Sequence, residues 1–169
     1  MKIKFYLTMI TCITAISFSV QAQQISISGG VLIPADEWSD SWDSGYGIQA
    51  SYKIERNEQI RIGGSIGLFT VPGKEIDFLG FRIDIPDARI IPILSTFDYK
   101  INEQFYVGGD AGYNLFLYDT GDSFDSPAGS TLALIPKIGT VYNKLNAELR
   151  YNILGDSYLS VIVGFTFGN

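Results

Sequence analysis

Alternation of apolar and polar side chains, residue by residue, is the feature that most constrains what this chain can fold into. Between residues 145 and 152 every second residue is apolar, as at Leu149 and Tyr151, and the residues between them are polar. Successive side chains of a β-strand point to opposite faces, so this segment predicts a strand with one apolar and one polar face. Helical periodicity is nearly absent elsewhere. The pattern therefore predicts an all-β fold.

The same alternation recurs often enough to predict eight antiparallel strands. They are predicted at residues 24–33, 46–54, 60–68, 90–101, 105–117, 131–142, 145–152 and 158–167. Each is close to the ~9–11 residues with which a tilted strand crosses a bilayer. The connections alternate between tight turns and long loops, which is typical of outer-membrane barrels. Pro92 and Pro136 fall inside predicted strands, where each must mark a bulge or a local break.

The N-terminal residues have the layout of a secretory signal peptide. Lys2 and Lys4 are followed by an uncharged run that ends at Val20, and small or apolar residues at Val20 and Ala22 suit a cleavage site before Gln23. The run is shorter than the ~18–20 residues of a transmembrane helix. We expect residues 1–22 to be a cleaved signal peptide and residues 23–169 to form one barrel domain.

Composition excludes several functional classes. The chain has no histidine and a single cysteine, Cys12, which lies in the expected leader. Catalysis that relies on histidine, histidine metal sites and a mature cysteine nucleophile are therefore ruled out. The net charge of −6 disfavours nucleic acid as a partner. We predict no cofactor and no metal.

Two kinds of barrel share this alternation, and the polar face distinguishes them. In a soluble lipocalin-like barrel the apolar face points inward, whereas in a membrane barrel it points to lipid. Here the polar face is rich in Gly, Ser, Asn and Thr and carries few charges, which favours the membrane. Aromatic residues near the strand ends resemble the girdles of membrane barrels. They are Tyr46, Tyr52, Tyr99, Phe105, Tyr113, Tyr142, Tyr151, Phe165 and Phe167.

A nearly balanced set of charges falls on the predicted polar faces. It comprises Lys53, Arg61, Lys137 and Arg150 together with Asp98, Asp110 and Glu148. In a narrow lumen these groups are expected to pair as a structural network of ion pairs. A lipid-modifying enzyme is the catalytic alternative, and it predicts loss of activity on Glu148→Gln or Asp110→Asn.

The predicted long loops carry acidic and aromatic residues. Acidic clusters in the first loop (Asp36, Glu37, Asp40, Asp43) and the third (Asp119, Asp122, Asp125) offer oxygen ligands for Ca²⁺ or a bridge to lipopolysaccharide, although no EF-hand pattern is present. Trp38 and Trp42 are candidate interface anchors or partner contacts. Phe78 and Phe81 belong to an apolar second loop that is expected to extend a hairpin and to contact an extracellular or envelope protein partner.

The last predicted strand, YLSVIVGFTF, alternates and ends on an aromatic residue. Together with the leader, the strand spacing and the loop asymmetry, it makes residues 23–169 resemble the small eight-stranded outer-membrane barrels of the OmpA and OmpX type, found in many Gram-negative genomes including Bacteroidota. The resemblance implies a monomeric, up-and-down transmembrane barrel inserted by the barrel-assembly machinery and surrounded by outer-membrane lipid and lipopolysaccharide. Family members usually end on the aromatic residue, whereas here Gly168 and Asn169 follow Phe167.

These patterns lead to one principal function and one alternative. The principal prediction is a non-enzymatic integral outer-membrane protein with a polar, filled lumen and a structural, adhesive or envelope-accessory role. Eight strands leave room only for side chains, so a general porin is not expected. The alternative is a soluble exported lipocalin-like barrel that binds a small apolar ligand. The direction in which Leu149 and Val163 point distinguishes the two.

Overall fold

The computed structural model describes residues 23–78, 81–118 and 126–168. Ten strands and one short helix lie in these ranges. They are β1 (Gln23–Pro34), α1 (Trp38–Ser41), β2 (Gly45–Glu55), β3 (Ile60–Val71), β4 (Glu75–Phe78), β5 (Phe81–Asp84), β6 (Ala88–Lys100), β7 (Phe105–Tyr118), β8 (Ser126–Tyr142), β9 (Leu145–Asn152) and β10 (Tyr158–Phe167). No helix in the described ranges is long and apolar enough to cross a bilayer.

Eight of the strands close into one antiparallel barrel, in the order β1, β2, β3, β6, β7, β8, β9 and β10. The first and last strands seal it, with Pro34 opposite Tyr158 and Ile25 opposite Phe167. Closure gives every barrel strand a hydrogen-bonded neighbour on both sides, which an open sheet could not achieve. Strands β4 and β5 form a separate hairpin. The predicted closed, up-and-down, eight-stranded barrel is confirmed.

The strand boundaries agree closely with the alternation, except in β8. That strand begins at Ser126, well before the predicted residue 131. The register of β7 with β8 shifts between Phe116, which faces Gly129, and Leu117, which faces Pro127. This bulge interrupts the alternation, which is why the sequence pattern predicts a loop at the first residues of the strand.

Both strand prolines coincide with local breaks, as predicted. Pairing of β3 with β6 stops after Ile66–Ile93 and resumes at Phe69–Ile90, which leaves Pro92 without a β3 partner. Pairing of β8 with β9 begins at Lys137, directly after Pro136. Each proline keeps its register with β7 on its other side. Proline has no N–H to donate, and a strand residue directs that group toward only one neighbouring strand. Each proline therefore interrupts the pairing on one side only.

The apolar faces of the barrel strands point outward. Leu149 and Val163 are 42% and 54% exposed. The nine aromatic residues predicted near the strand ends are all exposed as well. This orientation is the reverse of the one that the lipocalin-like alternative requires, so the inward apolar face of that alternative is wrong. The polar faces line the lumen.

The lumen has three layers along its axis. Its middle is charged and hydrogen-bonded, as the sequence predicted. At the end of the long loops lies an apolar cluster, which the predicted polar lumen does not include. Its members are Leu32, Trp38, Phe69, Val71, Ala88, Ile90, Leu94, Phe116, Ala133, Ile135, Tyr158 and Ile162. At the end of the tight turns the lumen opens into a polar cavity of about 410 Å³.

Candidate functional site

Asp98 is the centre of one half of the charged layer. Its carboxylate is fully buried and lies 2.8 Å from Nζ of Lys53, 2.9 Å from Nζ of Lys137 and 3.3 Å from Nη2 of Arg61. These cations come from strands β2, β8 and β3, whereas Asp98 is on β6. One carboxylate therefore connects four strands, β2, β3, β6 and β8.

Glu148 is the centre of the other half. Its Oε2 accepts from Nε of Arg150 at 2.6 Å, and the Nη2 group of Arg150 also contacts it. Its Oε1 accepts from the hydroxyl of Tyr106 at 2.5 Å and from Nζ of Lys53 at 3.2 Å. Arg150 extends this series of hydrogen bonds across the lumen, because its Nη1 donates to Oε1 of Gln49 at 2.8 Å. Each oxygen of this carboxylate has at least two donors.

Asp110 completes the set. Its Oδ1 lies 2.6 Å from Nζ of Lys137, and its Oδ2 lies 3.6 Å from Nη1 of Arg150. The hydroxyl of Thr96 donates to Asp110 and in turn accepts from Lys137. The structure thus brings all seven predicted charged residues into one connected set, called the lumen network below.

The lumen network spans strands β2, β3, β6, β7, β8 and β9 and holds four cations against three carboxylates. All of its members are at least nine-tenths buried. A catalytic carboxylate needs to reach a substrate and to have a proton-transfer role open to it. Asp110 and Glu148 instead already hold buried cations, so the arrangement suits mutual neutralisation better than acid–base chemistry.

The long-loop end is closed by an aromatic plug made of Trp38, Trp42, Phe116, Tyr118 and Tyr158. Trp38 stands in α1 and meets Phe116 edge to face at 6.2 Å and Tyr158 at 6.1 Å between ring centroids. Trp42 stacks on Tyr118 at 6.2 Å. Trp38 is only 7% exposed. A partner-contact role therefore does not fit Trp38, because its ring is covered by the barrel itself; Trp42 is half-buried.

The first two long loops are tied to each other above the plug. Trp42 donates from Nε1 to the carbonyl of Pro86 at 3.2 Å, and Nζ of Lys74 donates to the carbonyl of Ser39 at 2.6 Å. Lys74 also lies 3.7 Å from Oδ1 of Asp43. The β4–β5 hairpin thus projects from a base that is anchored to the α1 loop.

At the opposite end the cavity forms a vestibule between the tight turns and the lumen network. Small polar side chains make up much of its wall, among them Ser26, Ser28, Ser51, Asn146 and Thr166. The hydroxyls of Ser26 and Thr166 are 2.8 Å apart, and Asn146 donates to Thr166 at 2.9 Å. Lys53, Arg61, Glu148 and Arg150 of the lumen network form its floor.

Sequence reasoning missed several residues that complete these layers. Alternation along β7 puts Tyr106 on the same inward face as Asp110, but its bond to Glu148 and the stacking of Arg61 on its ring, 4.5 Å from the centroid, depend on residues of other strands. Gly139 lies opposite Tyr106 on the neighbouring strand, and a Cβ there would collide with that ring. An aromatic residue directly opposite a glycine was the available signal, but it needs the strand register to be read.

Other predicted features lie partly outside the described residues. These are the leader at residues 1–22, the third-loop acids Asp119, Asp122 and Asp125, and the side chains of Phe78 and Phe81. Within the described ranges no group of three or more His, Cys, Asp or Glu side chains is placed to hold a metal ion.

Comparisons with known proteins identify the fold. No protein-family model and no curated protein sequence matches the chain. Among solved structures, Neisserial surface protein A is similar with a TM-score of 0.62 and 17% identity over 85% of this chain and 94% of that one. Ail, the attachment invasion locus protein of Yersinia pestis, gives 0.56 and 17% over 86% and 97%. The outer membrane protein OprG of Pseudomonas aeruginosa gives 0.56 and 12% over 88% and 98%. The chain shares the fold of these small barrels along almost its whole described length.

Proposed function

We propose that this chain is an integral outer-membrane barrel protein without enzymatic activity, of the OmpA and OmpX type, with a structural, adhesive or accessory role in the envelope. The observation that carries the proposal is the inverted distribution of polarity. Ile48, Ile66 and Val163 face outward and are each more than half exposed, while Asp98 and Lys137 are buried inside. A large apolar side chain that is fully exposed to water costs about 1.5–3 kcal/mol relative to a buried one, and each of these side chains would incur a little over half of that cost in water. Lipid removes that cost.

The outward aromatic residues support the same location. Tyr46 lies near the long-loop rim and Tyr142 near the tight-turn rim, and both rings are about two-thirds exposed. Tyrosine rings have an apolar body and a polar tip, so they suit the two interfaces of a bilayer. The predicted signal peptide at residues 1–22 supplies the export route that the proposal needs, with insertion by the barrel-assembly machinery and lipid and lipopolysaccharide as surroundings.

The interior supports a non-enzymatic and non-porin role. The aromatic plug closes the long-loop end, and the lumen network fills the middle. Because the interior is filled, the loops are the surface through which this barrel would contact a partner. The β4–β5 hairpin lies outside the barrel sheet, and its Ile83 side chain is 48% exposed. Across the hairpin, Nε of Arg82 lies 3.5 Å from Oε2 of Glu75. We propose that this hairpin contacts an extracellular or envelope protein partner.

Site-directed spin labelling tests the membrane location. Cys12 is the single cysteine, so a Cys12→Ser chain accepts one label at a chosen position. Val163→Cys on the outer face of β10 and Ile83→Cys in the hairpin are a matched pair, since both native side chains are apolar and about half exposed. We expect dissolved oxygen to reach the label at 163 and a water-soluble nickel complex to reach the label at 83. Strong relaxation enhancement of the spin label by the nickel complex at both positions would refute the membrane location.

Heat modifiability on SDS gels tests the closed membrane barrel, and deletion of the hairpin tests its contact with a partner. A closed membrane barrel migrates differently before and after boiling, and the band should be found in the outer-membrane fraction. Replacing residues 75–84 by a short Gly-Ser turn should preserve this behaviour, because among the described strands β4 and β5 pair only with each other. It should also abolish binding to cells or envelope partners. Retained binding would contradict the role of the hairpin without affecting the membrane assignment.

A further inference from the structure

The vestibule at the tight-turn end is lined by more positive than negative side chains, although the chain as a whole is acidic. Its wall includes the cations Lys53, Arg61, Lys144 and Arg150 against one carboxylate, Glu148. The chain as a whole has a net charge of −6. Glu148 is already held by Arg150, Lys53 and the hydroxyl of Tyr106. The lumen network beneath the vestibule sums to +1 once Asp98 and Asp110 are counted, and Lys144 adds one more positive charge, so the vestibule is locally basic in an acidic protein.

Arg61 provides a second, independent observation. It is 94% buried, its Nη1 donates to Gln24 at 3.4 Å, and its Nη2 lies 3.3 Å from Asp98. Its Nε is buried and has no hydrogen-bond partner. Buried N–H donors are nearly always satisfied in native proteins, and an exception calls for an explanation such as a ligand. The side chain lines the vestibule.

The rest of the wall offers neutral hydrogen-bonding groups. Hydroxyls of Ser28 and Ser51 and the amide of Asn146 surround the cations. Lys144, in the turn between β8 and β9, is exposed at the rim, and its ammonium has no ion-pair partner among the described residues. A volume of about 410 Å³ accommodates a small solute but not a folded partner.

We propose that the vestibule binds a small soluble oxyanion, a carboxylate or a phosphate group, through Arg61 and Lys144. The Arg61 guanidinium, which lines the floor of the vestibule, supplies one positive charge and its remaining N–H donors; Lys144 supplies a second positive charge at the rim, and the serine hydroxyls and Asn146 hydrogen-bond to the remainder of the solute. Guanidinium and ammonium groups are the ordinary protein donors for such anions. This site is at the opposite end from the hairpin and is independent of the proposed membrane role.

The direct test observes the arginine side chains by NMR. The full chain with ¹⁵N-labelled arginine is titrated with sodium phosphate, and separately with sodium acetate, at an ionic strength held constant with chloride. We expect the Nε–H resonance of Arg61, assigned from an Arg61→Lys sample, to shift and saturate, while that of the exposed Arg82 stays unchanged. Saturation with phosphate alone identifies a phosphate site, and saturation with acetate a carboxylate site. No saturable shift with either anion, or the same shift with chloride alone, would overturn the proposal and leave the vestibule filled only with water.

Variants that do not break the lumen network keep the test decisive. Lys144→Gln should weaken phosphate or acetate binding by about threefold or more, since one screened charge is lost. Ser51→Leu fills the cavity without changing its charge and should remove binding. Lys74→Gln, which removes a lysine at the other end of the barrel, is the matched control and should bind as the parent does. Unchanged affinity in both Lys144→Gln and Ser51→Leu would place the anion elsewhere and refute the site.

Discussion

Replacing Asp98 by Asn is the most informative perturbation of the barrel interior. The substitution keeps the size of the side chain and removes one negative charge that three cations share, namely Lys53, Arg61 and Lys137. With all groups ionised, the seven charged residues of the lumen network sum to +1, from four cations and three carboxylates. Asp98→Asn raises that sum to +2 in a region that solvent barely reaches.

The magnitude follows from burial. Removing one partner of a buried ion pair costs about 3–5 kcal/mol, because the other partner stays buried without compensation. A rim pair provides the scale for comparison. Glu55 pairs with Lys100 at the tight-turn end, and both side chains are 24% exposed. Glu55→Gln should therefore cost less, about 1 kcal/mol, which is the upper end of the range for exposed pairs.

Unfolding by urea in lipid vesicles measures both variants. Trp38 and Trp42 report on the plug by fluorescence, and the boiling-dependent gel band reports on barrel closure. We expect the free energy of unfolding to fall by about 3–5 kcal/mol for Asp98→Asn. Adding Lys53→Met to Asp98→Asn restores the sum to +1 and should recover part of the loss, with a coupling energy of about 0.5–3 kcal/mol.

Equal effects of Asp98→Asn and Glu55→Gln would refute this reasoning. The lumen network would then contribute no more than the partly exposed rim pair, and closure of the barrel would rest on the strand hydrogen bonds and the apolar cluster alone. An additive double variant would also contradict it, because Lys53 and Asp98 would then not interact across the lumen.

Three further variants test other layers by the same unfolding measurement. Gly139→Ala should destabilise by about 1–3 kcal/mol through a collision with the Tyr106 ring, whereas Gly109→Ala, where a Cβ has space, should change little. Val163→Arg, on the outer face, should cost about 2–4 kcal/mol in a bilayer, and no cost there would contradict a lipid-facing position. Burial raises the pKa of Asp156, in the β9–β10 loop, above its usual 3.8, so the folded state holds this proton more tightly and loses stability as pH rises through that pKa. Asp156→Asn should remove that loss and be more stable than the parent at pH 7.

The parts of the fold that sequence could predict are those where the two faces of a strand differ strongly. Strand β9 alternates without exception, and its predicted boundaries coincide with the observed ones. The alternation is weaker in β1, β6 and β8, where Leu32, Ile90 and Ile135 are apolar yet point into the lumen. These residues belong to the apolar cluster at the long-loop end. A period of two carries no information where both faces are apolar.

The rest depends on contacts between residues far apart in the chain. The sequence placed seven charges on inward faces, but it could not pair Lys53 with Glu148 across 95 positions. Likewise, α1 is a helix of four residues, too short to have a periodic signature, and only packing on Phe116 and Tyr158 makes Trp38 a plug. The vestibule is a cavity lined by side chains from several strands and turns, so it cannot be predicted before the arrangement of those strands is known.

The surplus charge of the lumen network connects its stability to the proposed anion site. A sum of +1 leaves one positive charge without an internal counterion, and Arg61 lines the vestibule, where a bound anion supplies that counterion. Asp98→Asn enlarges that surplus, so it should lower stability and at the same time raise the affinity for phosphate or acetate. By mass action the anion should then stabilise this variant more than the parent at equal concentration. A merely damaged barrel would lose stability and affinity together, so opposite changes in the two quantities would show that the same charges serve both.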